Sequence, residues 1–338
     1  MIYSKLLDTL IKDQKKIKGT IYYPGPYWER KSLRSAYQIK KNGLSKFRGI
    51  SKGIGTSYAD GLLLDARDES GFKGRLLGKL YSLPLLRSVY NTQLHITKNY
   101  IDSYLKNLSL VYENNEKVQD LLKKYKFENT TEFGCLRKFS YDSNEYSIHY
   151  LNMAHRIHNL SNVFNFDRIN SFFEIGGGFG ANIHFLLTNY NNIKKIIYLD
   201  IVPNIFTGTE YLKFFYGDSV KDYLSLKNKE KISFSKNDEL EILCIPPWLI
   251  EKLDIEIDHF HNANSFVEMS ENIIENYCTF IKKFNTKEIS LISYDKYNLS
   301  TTFEPSLLNK YFENSLETSW NDLLIKEYNR KLIYLTNK

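Results

Sequence analysis

Cysteine is scarce in this sequence: three in 338 residues, Cys135, Cys244 and Cys278, all far apart. Such spacing writes neither a CxxC metal knuckle nor a disulfide framework, and it points to a reducing, cytoplasmic setting. Long apolar runs are missing as well. The longest apolar-leaning stretch, Leu76 to Val89, is broken by Gly78, Lys79, Pro84 and Arg87, far short of the ~20 apolar residues that a membrane span needs. Residues Met1 to Lys18 mix apolar side chains with Lys and Asp at helical spacing, without the apolar core and small-residue cleavage site of a signal peptide. No large block of like charge occurs. The 46 Lys and Arg exceed the 39 Asp and Glu by seven, but in scattered pairs such as Lys15-Lys16 and Lys194-Lys195. That surface suits anionic ligands and is too diffuse for nucleic acid.

What is present is a core-forming chain. Hydrophobic residues at 42% and charged residues at 25% exclude a disordered or low-complexity protein. Residues 1–145 are rich in aromatics, glycine and bases without strand–helix alternation, and read as a mainly helical accessory region with long turns. Within it, Tyr22-Tyr23-Pro24-Gly25-Pro26-Tyr27-Trp28 sets aromatics around two prolines, and Gly49–Gly55 holds three glycines in seven positions. Each is either a turn held by aromatic packing or a substrate-facing loop.

From Tyr146 the pattern changes to that of an α/β domain over residues 146–338. Short apolar runs alternate with helical segments, the signature of a doubly wound parallel sheet. Strands are expected at Ser171–Ile175, Lys195–Asp200, Leu240–Ile245, Glu256–Ala263, Glu288–Tyr294 and Lys331–Leu335. Helices are expected at Tyr146–Leu160, Ala181–Asn189, Ile205–Phe215 and Ser270–Phe284, with Asp218–Asp238 a polar surface excursion.

The most specific segment is Phe172-Phe173-Glu174-Ile175-Gly176-Gly177-Gly178-Phe179-Gly180-Ala181, a strand running through glycines into a helix. Glycines supply positive φ and close backbone approach, and the helix N-terminus presents free N–H groups. As Gly176-x-Gly178-x-x-Ala181 it fits the dinucleotide fingerprint. As Glu174-x-Gly176-x-Gly178-x-Gly180 it fits the loop of S-adenosylmethionine-dependent methyltransferases. Glu174 favours the second: an acid there repels a pyrophosphate and attracts a cationic sulfonium and ammonium. Asp200, closing the next strand, can accept both hydroxyls of a ribose in either class. Ile245-Pro246-Pro247-Trp248 imitates an amino-methyltransferase motif but has Ile245 where the Asp or Asn acceptor is needed, so it reads as a turn ending a strand.

The segment Asp258-His259-Phe260-His261-Asn262-Ala263-Asn264-Ser265-Phe266-Val267-Glu268-Met269 belongs to the fourth strand and its exit. Ligands of doubly wound sheets lie outside the carboxyl ends of strands, so Asn262 to Glu268 should face cofactor and acceptor. The Glu-Ile-Gly-Gly-Gly-Phe-Gly loop, Leu199-Asp200-Ile201-Val202-Pro203 and this Asn-Ala-Asn-Ser-Phe-Val-Glu-Met run resemble the bacterial sugar O-methyltransferase family, of the class I S-adenosylmethionine-dependent fold. The likeness extends more loosely to Pro26-Tyr27-Trp28 and Gly43–Arg48. It implies S-adenosylmethionine as cofactor, held by Glu174, Gly176, Gly178, Gly180, Asp200, Ile201, Asn262, Asn264 and Ser265. It also implies a sugar hydroxyl as acceptor, on a nucleotide-linked sugar or a capsule or lipopolysaccharide glycan, with Tyr23, Tyr27, Trp28 and Arg48 toward that acceptor.

Methyl transfer to a hydroxyl needs alignment and a proton acceptor. His261 is the candidate base, one strand period from His259, and Glu268 the candidate acid that orients the hydroxyl. His155 and His158 are further candidates. A divalent metal is compatible with His261 and Glu268 but not demanded by any adjacent carboxylate pair. Two other readings use the same residues: a nicotinamide-dependent oxidoreductase and a catalytically silent partner in a glycan pathway.

Overall fold

The computed structural model describes residues 3–25, 114–135, 138–294 and 310–321 without a break, together with 28–29, 32, 35–36, 39–40, 43–45, 47–49, 76, 79–80, 83–89, 91–92, 95, 323 and 329–336. It divides into two compact units: Met1–Glu29 with His155–Lys338, and Arg30–Ala154.

In the second unit the described elements include a helix, Glu116–Lys124, capped by the Asn115 side chain, a hairpin of β1 (Phe139–Tyr141) with β2 (Asn144–Tyr146), and the start of a helix, Ile148–Ser161, that runs on into the first unit. Its core includes Phe47, Leu121 and Phe139.

The first unit is built on an eight-stranded mixed sheet. Its strands are β3 (Ser171–Ile175), β4 (Lys195–Leu199), β5 (Val220–Lys221), β6 (Glu241–Ile245), β7 (His259–Ala263), β8 (Glu288–Tyr294), β9 (Leu316–Asn321) and β10 (Asn329–Leu335), in the order β5-β6-β4-β3-β7-β8-β10-β9. The first six run parallel, and β10 lies antiparallel between β8 and β9. Every residue of β3 and β4 is buried, which explains why both read as continuous apolar runs.

Helix α1 (Tyr3–Lys16) precedes the sheet, α2 (Ala181–Asn189) links β3 to β4, α3 (Asn204–Tyr216) follows β4, and α4 (Glu271–Lys283) links β7 to β8. Order in the sheet grows from β3 toward β6 and then restarts on its other side at β7. Right-handed crossovers in opposite directions put α2 and α4 on opposite faces, so the sheet is doubly wound. The reversal leaves a crevice at the carboxyl ends of β3 and β7, where ligands of such sheets bind.

Two sequence expectations change here. The first 29 residues belong with the sheet unit rather than with an accessory region of 1–145. Leu6, Leu7 and Leu10 of α1 are buried, Gln14 Oε1 accepts from Val202 N at 3.3 Å, and Asp13 accepts from Tyr223 and Lys227. The stretch Asp218–Asp238 is no loose excursion either: it contains β5, buries Tyr223, Leu226 and Ile232, and supplies acceptors for Lys195 Nζ. Edge strand β9, largely exposed, carries no apolar pattern and so gives no strand signal in the sequence.

Candidate functional site

The turn from β3 into α2 is shaped by glycines that other residues cannot replace. Gly176, Gly178 and Gly180 have φ of 76°, 65° and 84°, in the left-handed region that side chains avoid. At Gly176 a Cβ would also fall 2.3 Å from Ser265 Oγ, and at Gly177 it would fall 2.4 Å from Glu174 Oε2. The loop is therefore pressed against the β7 exit on one side and laid directly over a carboxylate on the other.

That carboxylate is buried. Glu174 Oε1 accepts from Asn182 Nδ2 at 2.9 Å, while Oε2 has no hydrogen-bond partner. Burial pushes the Glu174 carboxyl up to about 7, against the pull of the Asn182 bond and the Arg156 charge. Asp200, just past β4, is buried too: Oδ1 accepts from Ile201 N at 2.7 Å and Oδ2 from Gly178 N at 2.9 Å. Burial raises it to about 8, with Glu174 adding to the rise. Two acids thus converge on one glycine loop, and an amide of that loop already serves a carboxylate.

A pH dependence follows. Each folded pKa lies above the ~4 of an unfolded acid, so both groups favour the fold below pH ~4, and that contribution is lost as pH rises toward 7 and 8. A cation placed against them offsets the loss and lowers both values. Binding of a cationic ligand should therefore release protons at pH 7 and tighten as pH rises from 6 to 8. Calorimetry in buffers of different ionisation enthalpy checks this; proton uptake, or none, would contradict it.

At the end of β7 two predicted residues, Asn262 and Ser265, form a latch. Asn262 Nδ2 donates to Ile175 O at 2.9 Å and to Ser265 Oγ, its Oδ1 accepts from Phe266 N at 3.1 Å, and Ser265 Oγ donates to Ile175 O. This ties the exits of β3 and β7 together. Asn264 sits at φ 64°, its N bonded to Ile292 O and its Oδ1 accepting from Arg330.

The N-terminal segment follows the same edge of the sheet. Gln14 meets Val202 after β4, Tyr22 OH donates to Glu251 after β6 at 2.5 Å, and Trp28 Nε1 donates to Glu268 Oε2 at 2.7 Å after β7. Trp28 and Glu268, 240 residues apart in sequence, are both half-buried. A hydrophobic ring and a carboxylate are thus presented side by side next to the crevice. Tyr23 lies on the same segment, its hydroxyl on Glu29 at 3.2 Å.

Other expectations are placed differently. His261 is fully buried, opposite Glu174 in the register and stacked near Phe172, with Nδ1 on Ser290 Oγ at 2.7 Å. Burial first, then the Arg156 and His259 charges, hold its pKa well below the usual histidine range. A sealed, weakly basic ring has no path to an acceptor, so the general-base assignment to His261 is not supported. His259 is likewise satisfied by Glu288 and Ser290. His155 and His158 are half-buried. Tyr27 and the segment Ile50–Gly55 lie outside the described residues.

Arg48 also turns inward. It is 1% exposed, and its guanidinium donates to Thr130 O at 2.8 Å, Glu132 O at 3.2 Å and Ser147 Oγ at 2.7 Å. It is a clamp within the second unit rather than a substrate contact. Arg48→Met should cost at least ~2 kcal/mol of stability by stranding those acceptors; denaturant midpoints check this, and an unchanged midpoint would refute it.

Sequence reasoning does not single out Asn182, the donor to Glu174, or Arg156. Asn182 has a local signal: a buried acid under a glycine loop needs a donor, and the first turn of the following helix is the nearest source. Among the described residues no group of three or more His, Cys, Asp or Glu could hold a metal ion, and no helix is long and apolar enough to cross a membrane.

No family model and no curated protein matches the chain. Solved structures do share similarity with it. Magnesium protoporphyrin IX methyltransferase from Synechocystis, with bound SAM, is 9% identical over 56% of this chain and 80% of that one, at a TM-score of 0.38. An SAM-dependent methyltransferase from Aquifex aeolicus is 15% identical over 52% and 87%, at 0.34. The N-terminal domain of EvdMO1 with SAH bound is 15% identical over 60% and 91%, at 0.36. Likeness at this level carries no activity to the present chain.

Proposed function

We propose that this chain is an S-adenosylmethionine-dependent O-methyltransferase acting on a sugar hydroxyl, carried by a nucleotide-linked sugar or by a capsule or lipopolysaccharide glycan. The observation that carries the reading is Glu174: a buried carboxylate under the glycine loop with Oε2 lacking a hydrogen-bond partner. A dinucleotide pyrophosphate in that place would meet Glu174 and Asp200 together, and the Gly178 amide it would need already serves Asp200. A ligand with a cationic sulfonium and ammonium instead relieves both acids.

Glu174, Gly176, Gly178, Gly180, Asp200 and Ile201 would hold the cofactor, with Asp200 toward the ribose and the Asn262–Ser265 latch fixing the loop against β7. When bound, S-adenosylmethionine supplies an electrophilic methyl group. On the acceptor side, Trp28 offers an apolar face that suits a pyranose ring, and Glu268 accepts the hydrogen bond of the reacting hydroxyl and takes its proton. The Trp28 N–H holds that carboxylate in one orientation. Support for a sugar, in place of another hydroxyl, comes from this ring-and-acid pair and from the sequence resemblance.

Thermal melts with S-adenosylhomocysteine and with NAD test the cofactor directly, because only a ligand of the folded state raises the midpoint. S-adenosylhomocysteine should stabilise and NAD should not. Stabilisation by NAD alone would overturn the reading in favour of an oxidoreductase. A panel of nucleotide sugars assayed for S-adenosylhomocysteine release then tests the acceptor class.

A further inference from the structure

A line of polar side chains crosses the buried centre of the sheet, and the proposed methyl transfer leaves it unused. It starts at Glu288, the first residue of β8, whose side chain is 23% exposed and whose Oε2 lies 3.1 Å from His259 Nδ1. His259 Nε2 lies 2.8 Å from Ser290 Oγ, which in turn lies 2.7 Å from His261 Nδ1. His259, Ser290 and His261 are sealed from solvent, and Phe164, Phe166 and Phe172 pack against the His259 ring. Polar groups in such surroundings cost stability that apolar residues of similar volume would not.

The inner end of the line stops beside the glycine loop. His261 is the register partner of Glu174, and neighbouring strands lie about 4.8 Å apart, so the two side chains stand next to each other on one face. His261 Nε2, Glu174 Oε2 and Asn182 Oδ1 are all buried without a hydrogen-bond partner, and Asn182 Nδ2 already binds Glu174 Oε1. One water satisfies all three, accepting from a neutral Glu174 and donating to His261 Nε2 and Asn182 Oδ1. Donors then point the same way throughout: His261 Nδ1–H to Ser290, Ser290 O–H to His259 Nε2, and His259 Nδ1–H to the Glu288 carboxylate.

We propose that this line is a proton path joining the buried Glu174 to solvent at Glu288, with a bound water between Glu174 and His261. It rests on the reading of Glu174 as the acid that meets a cationic ligand. As such a ligand binds, Glu174 ionises beneath the covered loop. Its proton passes to the water, a water proton to His261 Nε2, the His261 Nδ1 proton to Ser290, the Ser290 proton to His259 Nε2, and the His259 Nδ1 proton to Glu288. Every group between the two acids ends neutral, Glu174 gains one negative charge, and Glu288 gives the proton to bulk water. The Arg156 charge lowers the proton affinity of both Glu174 and His261, which drives the proton outward. Asp200 faces Glu174, Asp258 acts on His259 while held by Lys287, and Tyr334 is opposite Ser290 in the register.

Stopped-flow mixing of the full chain with S-adenosylmethionine at pH 7 tests this, with an indicator dye reading proton release and tryptophan fluorescence reading binding. In the parent, release should keep pace with binding. Glu288→Gln still accepts from His259 but cannot take the proton, and Ser290→Ala breaks the line in its middle. Both should release protons at least tenfold more slowly than the parent, with binding itself no slower. A purely structural role would change stability or affinity and not the delay between binding and release. Release at the parent pace in both variants overturns the path and leaves the reading of Glu174 standing, whereas binding without release in the parent overturns both. Nitrogen NMR of the ligand-free chain adds a check independent of any cofactor: His259 and His261 should both carry their proton on Nδ1, and a neutral ring protonated on Nε2 at either position overturns the path.

Discussion

Glu268→Gln should lower turnover by about 10²–10³ while leaving S-adenosylhomocysteine affinity within twofold, the mark of a group that acts on the acceptor. The substitution keeps shape and length, and a Gln Oε1 can still accept from the Trp28 indole. What disappears is the charge that takes the hydroxyl proton. Trp28→Phe is the companion variant: the ring remains and the N–H is lost, so the carboxylate loses its 2.7 Å anchor. A fall of about tenfold in kcat is expected, larger than the change in KM. Turnover with any accepted sugar, followed by S-adenosylhomocysteine release, reads both. If Glu268→Gln works at the parent rate, the proton leaves by another route, and His155 is the next residue to replace.

Gly176→Ala should both destabilise the protein and abolish cofactor binding. The residue has φ 76°, and its Cβ would fall 2.3 Å from Ser265 Oγ. Left-handed backbone costs an alanine ~1–2 kcal/mol, and forcing atoms into a packed contact adds ~1–3 kcal/mol. Ser265 cannot step aside cheaply, because its hydroxyl also holds Ile175 O and Asn262. Relief would have to come from displacing the loop, which is the cofactor cradle. We expect affinity for S-adenosylhomocysteine to fall at least hundredfold, or ~2.7 kcal/mol. Gly19→Ala is the control: φ is 87°, but nothing lies within 4 Å of its Cβ. It should lose only the backbone contribution and bind normally. Equal effects of the two substitutions would mean that strain alone, and no close approach to Ser265, explains Gly176.

Much of the sheet is legible in the sequence. β3 and β8 have the bounds that the apolar runs predict, and β4, β6, β7 and β10 differ only at their ends. The buried positions of β3, β4 and β6 leave near-contiguous apolar runs that need no partner to be recognised. Helix α2 is equally plain, since glycines lead into it. β9 is not, because an exposed edge strand needs no apolar face.

The functional residues divide along the same line. Chain-local features, namely glycines at positive φ, an acid at position 174 and an acid closing the next strand, are determined by the sequence alone, because they express backbone sterics and short-range charge. The roles of His261, Arg48, Trp28 and Glu268 are decided only by tertiary structure. His261 and Arg48 are candidates by their chemistry, and chemistry does not report burial: one is sealed against Ser290, the other spent on Thr130, Glu132 and Ser147. The Trp28–Glu268 pair exists because strand order returns β7 to the side of β3, and because the leading segment lies along the carboxyl ends of that sheet. Contacts between residues so distant in sequence follow from topology and packing, and no local pattern of residues encodes them.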